Sequence, residues 1–212
     1  MTKDAAPDPA LQQARSNALK MLEYDPQWLE SGLLDPEFLK RQAEEYRQGE
    51  DPNTEHYRYA AFLRWIDARD RYEDAEIRQF LFLVEADPDK HMSLAAGRVL
   101  LWKGNLTDTQ FQDLADFLER LSEGRLKKSV DRERGLRELR RTRDITPAAF
   151  ERYMALADSA VQDYLLQNFV GNNEAYLEAL AEKGATRRVH NMAGQKLKGL
   201  KRRKRTPNDT DK

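Results

Sequence analysis

The sequence contains no cysteine. That excludes disulfides, thiolate nucleophiles, CxxC redox chemistry and every zinc site that uses sulfur. Histidine is scarce: His56, His91 and His190 are the only three, and no two lie within a helical turn of each other. A histidine-based metal centre therefore has little to build from. No apolar run approaches the ~18–20 residues needed to cross a bilayer, and the opening MTKDAAPDPALQQ lacks the apolar region of a secretory signal. Catalytic signatures are missing too, with no GxSxG, P-loop, GxGxxG or HExxH pattern. The expectation is a soluble, non-catalytic protein without cofactor, metal, membrane contact or small-molecule substrate, cytoplasmic or, in a eukaryotic cell, nuclear.

What is present is charge. Of 212 residues 34% are charged and 40% hydrophobic, which gives enough apolar matter for a core beneath a strongly ionic surface. The net charge of −1 conceals a polarity: residues 1–120 carry 15 Lys and Arg against 24 Asp and Glu, whereas residues 121–212 carry 21 against 13. Such an asymmetry points to a nucleic-acid or acidic-partner surface in the second part.

Nearly every segment reads as helix. Asp8-Pro9, Asp25-Pro26, Asp35-Pro36, Asp51-Pro52, Asp87-Pro88 and Thr146-Pro147 place a capping side chain directly before a proline at the first helical position. Asp51-Pro52 also reads as a turn, because Asn53-Thr54 supplies a second cap. Glycines 32, 49, 104, 124, 171 and 184 mark stops. Between these marks the apolar residues recur at helical spacing, for example Tyr57, Ala61, Trp65 and Ala68, or Phe111, Leu114, Ala115, Leu118 and Leu121. No convincing alternation of period two appears. The fold class is all-α, with about eleven or twelve short helices.

Three segments look alike when superimposed: DPDKHMSLAAGRVLL (87–101), LADSAVQDYLLQNFV (156–170) and KGATRRVHNMAGQKL (183–197). This pattern over about residues 74–200 resembles the second helix of HEAT-like or leucine-rich-variant α-solenoid repeats. The resemblance implies paired helices stacked into a curved array, and an irregular helical bundle with similar caps is the other reading. Composition divides the chain into an N-terminal helical cap (1–50), a main helical domain (51–200) and a disordered basic tail (201–212), the tail lacking apolar content altogether.

The strongest functional feature is that basic end. From Lys183 to Arg205 there are ten cations and no Asp or Glu. Arg187, Arg188, Lys196 and Lys198 share a helix with the apolar stripe Val189, Met192, Ala193, Leu197 and Leu200, and Lys201, Arg202, Arg203, Lys204 and Arg205 continue beyond it. Phosphate contacts need only positive charge at roughly backbone spacing, each releasing counterions. The run also fits a nuclear address or an anionic membrane-surface patch, and charge runs occur in plain solvated tails as well. Residues 120–143 form a second basic stretch, Arg-rich, in which Arg137, Arg140 and Arg141 are secondary candidates. Glu133 and Arg137 there also read as an ordinary i,i+4 pair.

Other constellations have plainer readings. Asp67 and Asp70 share a face but sit among Arg64, Arg69 and Arg71, which is an ion-pair pattern. The acidic half reads as solvated faces, or as a dock for a partner protein. The aromatic set Trp28, Trp65, Trp102, Tyr57, Tyr59 and Phe62 reads as mostly core. HEAT-like DNA glycosylases set a Trp and an acid on the concave face; Trp65, Asp67 and Trp102 are the residues available for those roles, without the family's motif around them. The leading expectation is thus non-catalytic binding of DNA or RNA through phosphates, as an accessory subunit of a larger complex. The alternative is a protein-interaction module, adaptor or inhibitor, using the acidic half and a helical groove.

Overall fold

The computed structural model describes residues 9–205, with only the backbone of Arg205. It is all-α, with twelve helices and no strand among the described residues. The chain divides between Leu126 and Lys127 into two compact units. Across the loop at 47–54, Tyr24 Oη and Gln42 Nε2 both reach the Tyr57 carbonyl, each at 2.8 Å.

The first unit holds α1 (Pro9–Met21), α2 (Gln27–Glu30), α3 (Pro36–Gln48), α4 (Thr54–Asp67), α5 (Asp74–Ala86), α6 (Lys90–Lys103) and α7 (Asp108–Leu121). Its starts follow the local chemistry. Asp35 accepts from the Glu37 and Phe38 amides, both at 2.9 Å, with Pro36 in the first turn. Thr107 and Gln110 close a reciprocal capping box on α7. At Asp51 the turn reading holds: its Oδ1 accepts from the Asn53 amide and α4 begins at Thr54.

Asp87-Pro88 departs from the expected cap. Asp89 caps α6 instead, accepting from the Met92 amide at 2.7 Å, while Asp87 is buried and meets Arg58 Nε at 3.0 Å. Arg58 lies 2% exposed on the buried side of α4 and also donates to the Leu22 carbonyl at 3.0 Å and to Glu23 at 3.3 Å. Burial raises the Asp87 carboxyl above its ordinary pKa despite the attraction of Arg58. The pair is thus held in place at a desolvation cost. Burial likewise pushes the Tyr24 phenol up, so it stays neutral, and its single O–H proton is shared between the Tyr57 carbonyl and Gln42 Oε1, each 2.8 Å away.

Around this polar knot runs a chain of rings. Tyr24 meets Trp28 at 5.0 Å, Trp28 meets Phe62 at 4.4 Å, Phe62 meets Phe80 at 5.1 Å and Phe80 meets Trp65 at 5.3 Å. Each fully buried ring contributes on the order of 1.5–3 kcal/mol. Gly97 brings α6 against α7: a Cβ there would lie 2.6 Å from Cδ2 of the fully buried Leu118.

The second unit holds α8 (Lys127–Arg141), α9 (Pro147–Ala155), α10 (Ser159–Asn168), α11 (Glu174–Lys183) and α12 (Arg187–Arg205). Thr146-Pro147 opens α9 as its sequence requires, with Thr146 accepting from the Ala149 amide at 3.2 Å. The core is mainly aliphatic, built from Leu136, Leu139, Val161, Leu165, Leu166, Leu177, Leu180 and Val189, with Phe150 stacked on Tyr176 at 4.1 Å. Both α8 and α12 pack on α10, and α11 and α12 form a helical hairpin.

Candidate nucleic-acid interface

The basic helix α12 docks through the stripe its sequence displays: Val189 and Ala193 are fully buried, and Met192, Leu197 and Leu200 pack on the same core. Burial of that stripe leaves Arg187, Arg188, Lys196 and Lys198 exposed. One expectation needs correction. The helix does not end at Leu200 but continues through Arg205, so residues 201–205 are not an unstructured tail. The reason lies in the neighbouring helix rather than in local composition. Lys201 donates to Glu178 at 2.9 Å and Lys204 donates to Glu174 at 2.5 Å, tying the last turns of α12 to α11. Residues 206–212 of the expected tail lie outside the described residues.

These contacts sort the candidate cations into two groups. Several are engaged by the fold: Lys196 donates to the Leu166 carbonyl near the end of α10 at 2.7 Å, and Arg188 faces Asp163 at 3.6 Å. Lys201 and Lys204 belong here too. Hydrogen bonding to Lys204, then to Lys201, lowers the Glu174 pKa, and hydrogen bonding to Glu178 raises that of Lys201. By contrast Arg187, Lys198 and Arg203 are exposed and have no partner among the described residues. Arg202 is exposed and partnered. From Arg187 to Arg203 the free cations span about 24 Å at the helical rise of ~1.5 Å per residue.

On α8, Arg140 is exposed and free among the described residues, Arg141 is exposed and partnered, and Arg137 is half-buried and partnered. The buried Glu133 takes Arg132 at 2.9 Å. The long basic stretch at 120–143 is not one surface element, since Arg120 and Arg125 belong to the first unit. Arg120 pairs there with Glu85 at 3.2 Å. Gly135 of α8 sits beside Val161, and α12 meets α10 at Asp163 and Leu166. Both basic helices therefore flank a helix whose acids are few.

The first unit carries two further surfaces. A groove of about 250 Å³ between α1 and α3 is lined by Leu11, Ala14, Ala18, Leu39 and Ala43 with a mixed-charge rim. A groove of about 330 Å³ runs between α6 and the end of α7, lined by Lys90, His91, Leu94, Ala95, Arg98, Ser122, Arg125 and Leu126. Trp102, expected in the core, is 59% exposed. The helix phase could have shown this, because Ala96, Gly97, Leu100 and Leu101 form the buried side of α6 and Trp102 falls opposite. Of the residues available for a glycosylase-like arrangement, Trp65 is buried beneath Arg69 and Asp67 pairs with Lys103 at 3.0 Å.

The described residues hold no group of three or more His, Asp or Glu side chains placed to bind a metal ion, and no described helix is long and apolar enough to cross a membrane. No family model matches this chain, and neither a curated protein nor a solved structure matches it.

Proposed function

We propose that this protein is a non-catalytic nucleic-acid-binding protein that contacts phosphates through α12, with α8 as a secondary surface. The observation that carries the reading is the docking of α12. A 19-residue helix without an acidic residue is fixed by its apolar stripe, so its cations are presented on a rigid support rather than in a loose arm. Such contacts position a duplex or strand but read no base edges, so affinity is largely independent of sequence. Among the cations, Arg187, Lys198 and Arg203 reach phosphates without first giving up a partner, with Arg140 adding to them from α8. Arg188, Lys196, Arg202, Lys201 and Lys204 contribute field and, where a phosphate displaces their partners, direct contacts.

Fluorescence anisotropy with labelled duplex DNA at low and moderate salt tests this. The variant Arg187→Glu/Lys198→Glu/Arg203→Glu is expected to lose at least ~10-fold in affinity, with a salt slope shallower by ~0.9 for each phosphate left unneutralised. Glu174→Gln/Glu178→Gln, which frees Lys201 and Lys204, is expected to bind about two- to five-fold tighter. Undiminished binding by the triple variant sinks the proposal. The α1–α3 groove favours the competing reading of a protein-interaction module; capture there would depend on salt less steeply than phosphate binding, since its floor is apolar and its rim carries both signs of charge.

A further inference from the structure

Trp102 is the largest exposed apolar side chain among the described residues, and the other two tryptophans, Trp28 and Trp65, are 1% and 2% exposed. An indole left in water at the end of a well-packed helix has no role in the core. Its neighbours along α6 give it a context. His91, Ala95, Arg98 and Trp102 recur at i, i+4, i+7 and i+11, which places them in one row on the solvent side of the helix. The close approach of α6 and α7 at Gly97 sets Arg125, just past α7, into the same groove as His91 and Arg98.

The charge of this row is anomalous for its surroundings. Residues 9–126 carry 15 Lys and Arg against 23 Asp and Glu. Yet the groove is lined by Lys90, His91, Arg98 and Arg125 with no carboxylate. Lys90 is occupied by the Glu85 and Asp87 carbonyls and Arg125 holds the Ser122 carbonyl through Nε at 3.0 Å, so the fold also fixes these stems. Arg98 and His91 are exposed without a partner among the described residues. A cationic groove next to an accessible aromatic face is the pairing that single strands require: cations follow the backbone while unpaired bases stack on the ring. A duplex keeps its bases stacked inside and offers nothing to the indole.

We infer that the first unit carries a single-stranded nucleic-acid site, in which Trp102 stacks an unpaired base and Arg98, Arg125 and His91 take the adjoining phosphates. The site belongs to the first unit and shares no residue with α12, and it gives the chain a preference for single strands that phosphate contacts alone would not.

The test uses the full chain and oligo(dT), whose bases stack weakly on one another. Because Trp28 and Trp65 are shielded, any oligonucleotide-dependent quenching of tryptophan emission reads Trp102. Oligo(dT) is expected to quench that emission and to bind with an affinity that Trp102→Ala lowers about ten-fold or more and Trp102→Phe largely keeps. Duplex affinity is expected to change less than two-fold in both. Arg98→Glu/Arg125→Glu should weaken oligo(dT) binding and flatten its salt dependence. Oligo(dT) binding without quenching, or unchanged in Trp102→Ala, overturns the inference. So does quenching that rises with protein concentration alone, which would make Trp102 a self-association contact. The α12 variants separate the two sites: duplex binding abolished in them while oligo(dT) still quenches Trp102 upholds both readings. Duplex binding that depends on α12, with Trp102 silent to oligo(dT), removes this one alone.

Discussion

Both units are bundles of short amphipathic helices, yet they put their polarity in different places. The first buries it: Gln42, Arg58, Asp87, Ser93, Gln110 and Ser122 all lie inside. Among the described residues the second buries only Glu133 and Gln162, around a mainly aliphatic core, and sends its charge outward on α8 and α12. Residues 127–205 carry 19 Lys and Arg against 10 Asp and Glu, the reverse of the balance in the first unit. A buried ion pair such as Arg58–Asp87 offsets its desolvation poorly but fixes a particular arrangement of helices around it. An apolar core carries no such desolvation cost and leaves the surface free for a function. The comparison teaches that an internal polar network and an external charged face make separate demands on the chain, and here they fall in separate units.

The difference can be broken at its most sensitive point first. Arg58→Met leaves Asp87 buried and unpaired, and is expected to cost about 3–5 kcal/mol. All three tryptophans lie in the first unit, so denaturation followed by tryptophan emission reads that unit alone. The emission midpoint should fall in this variant, while the part of the helical circular-dichroism change owed to the second unit stays in place. The converse is Leu165→Ala, which empties a fully buried site on α10 at an expected cost of about 2–5 kcal/mol. It should move the circular-dichroism curve and leave the tryptophan curve unmoved. A single shift common to both probes in either variant would show that the units unfold as one.

The smallest effect sharpens the contrast at the surface. In the first unit His56 Nδ1 lies 2.6 Å from Asp51, whose hydrogen bond raises the histidine pKa; the Asn53 amide, then His56, lowers that of Asp51. A raised histidine lends stability that is present in full below the ordinary imidazole pKa and is lost as pH rises through the raised one. The lowered carboxylate lends stability that disappears only as pH falls through its depressed pKa in acid. In the second unit Lys201 of α12 and Glu174 of α11, 3.5 Å apart, stay charged throughout the neutral range, because Lys201 is raised and Glu174 lowered. An NMR titration of the His56 ring should therefore show a midpoint above that of free imidazole, returning toward it in Asp51→Asn.

Much of this fold was legible in the chain. Asp35-Pro36 and Thr146-Pro147 open helices because capping is a contact within three residues, and local contacts leave local signatures. The stripe of α12 was legible for the same reason. Asp87-Pro88 carried the same signature and misled, since a partner 29 residues away took the carboxylate. Arg58 was readable in part: it shares a face with Ala61, Phe62 and Trp65, all buried, though nothing nearby names its counter-ion. The helicity of 201–205 was not readable, because the glutamates that hold Lys201 and Lys204 come from α11. The sequence located the candidate cations of α12, but only the fold separates Arg187, Lys198 and Arg203 from those already in use.

The hold of Glu174 and Glu178 on the end of α12 has a further consequence. If α12 is the phosphate-binding surface proposed above, these carboxylates act as a tethered competitor for it, present at an effective concentration that dilution cannot lower. A ligand of low charge density, such as a lone anion or a short acidic peptide, meets that competition with few charges to offset it. A long polyphosphate chain overcomes it by presenting many charges at once. Under that proposal the helix end is a threshold that responds to the length of a polyanion more steeply than to its concentration.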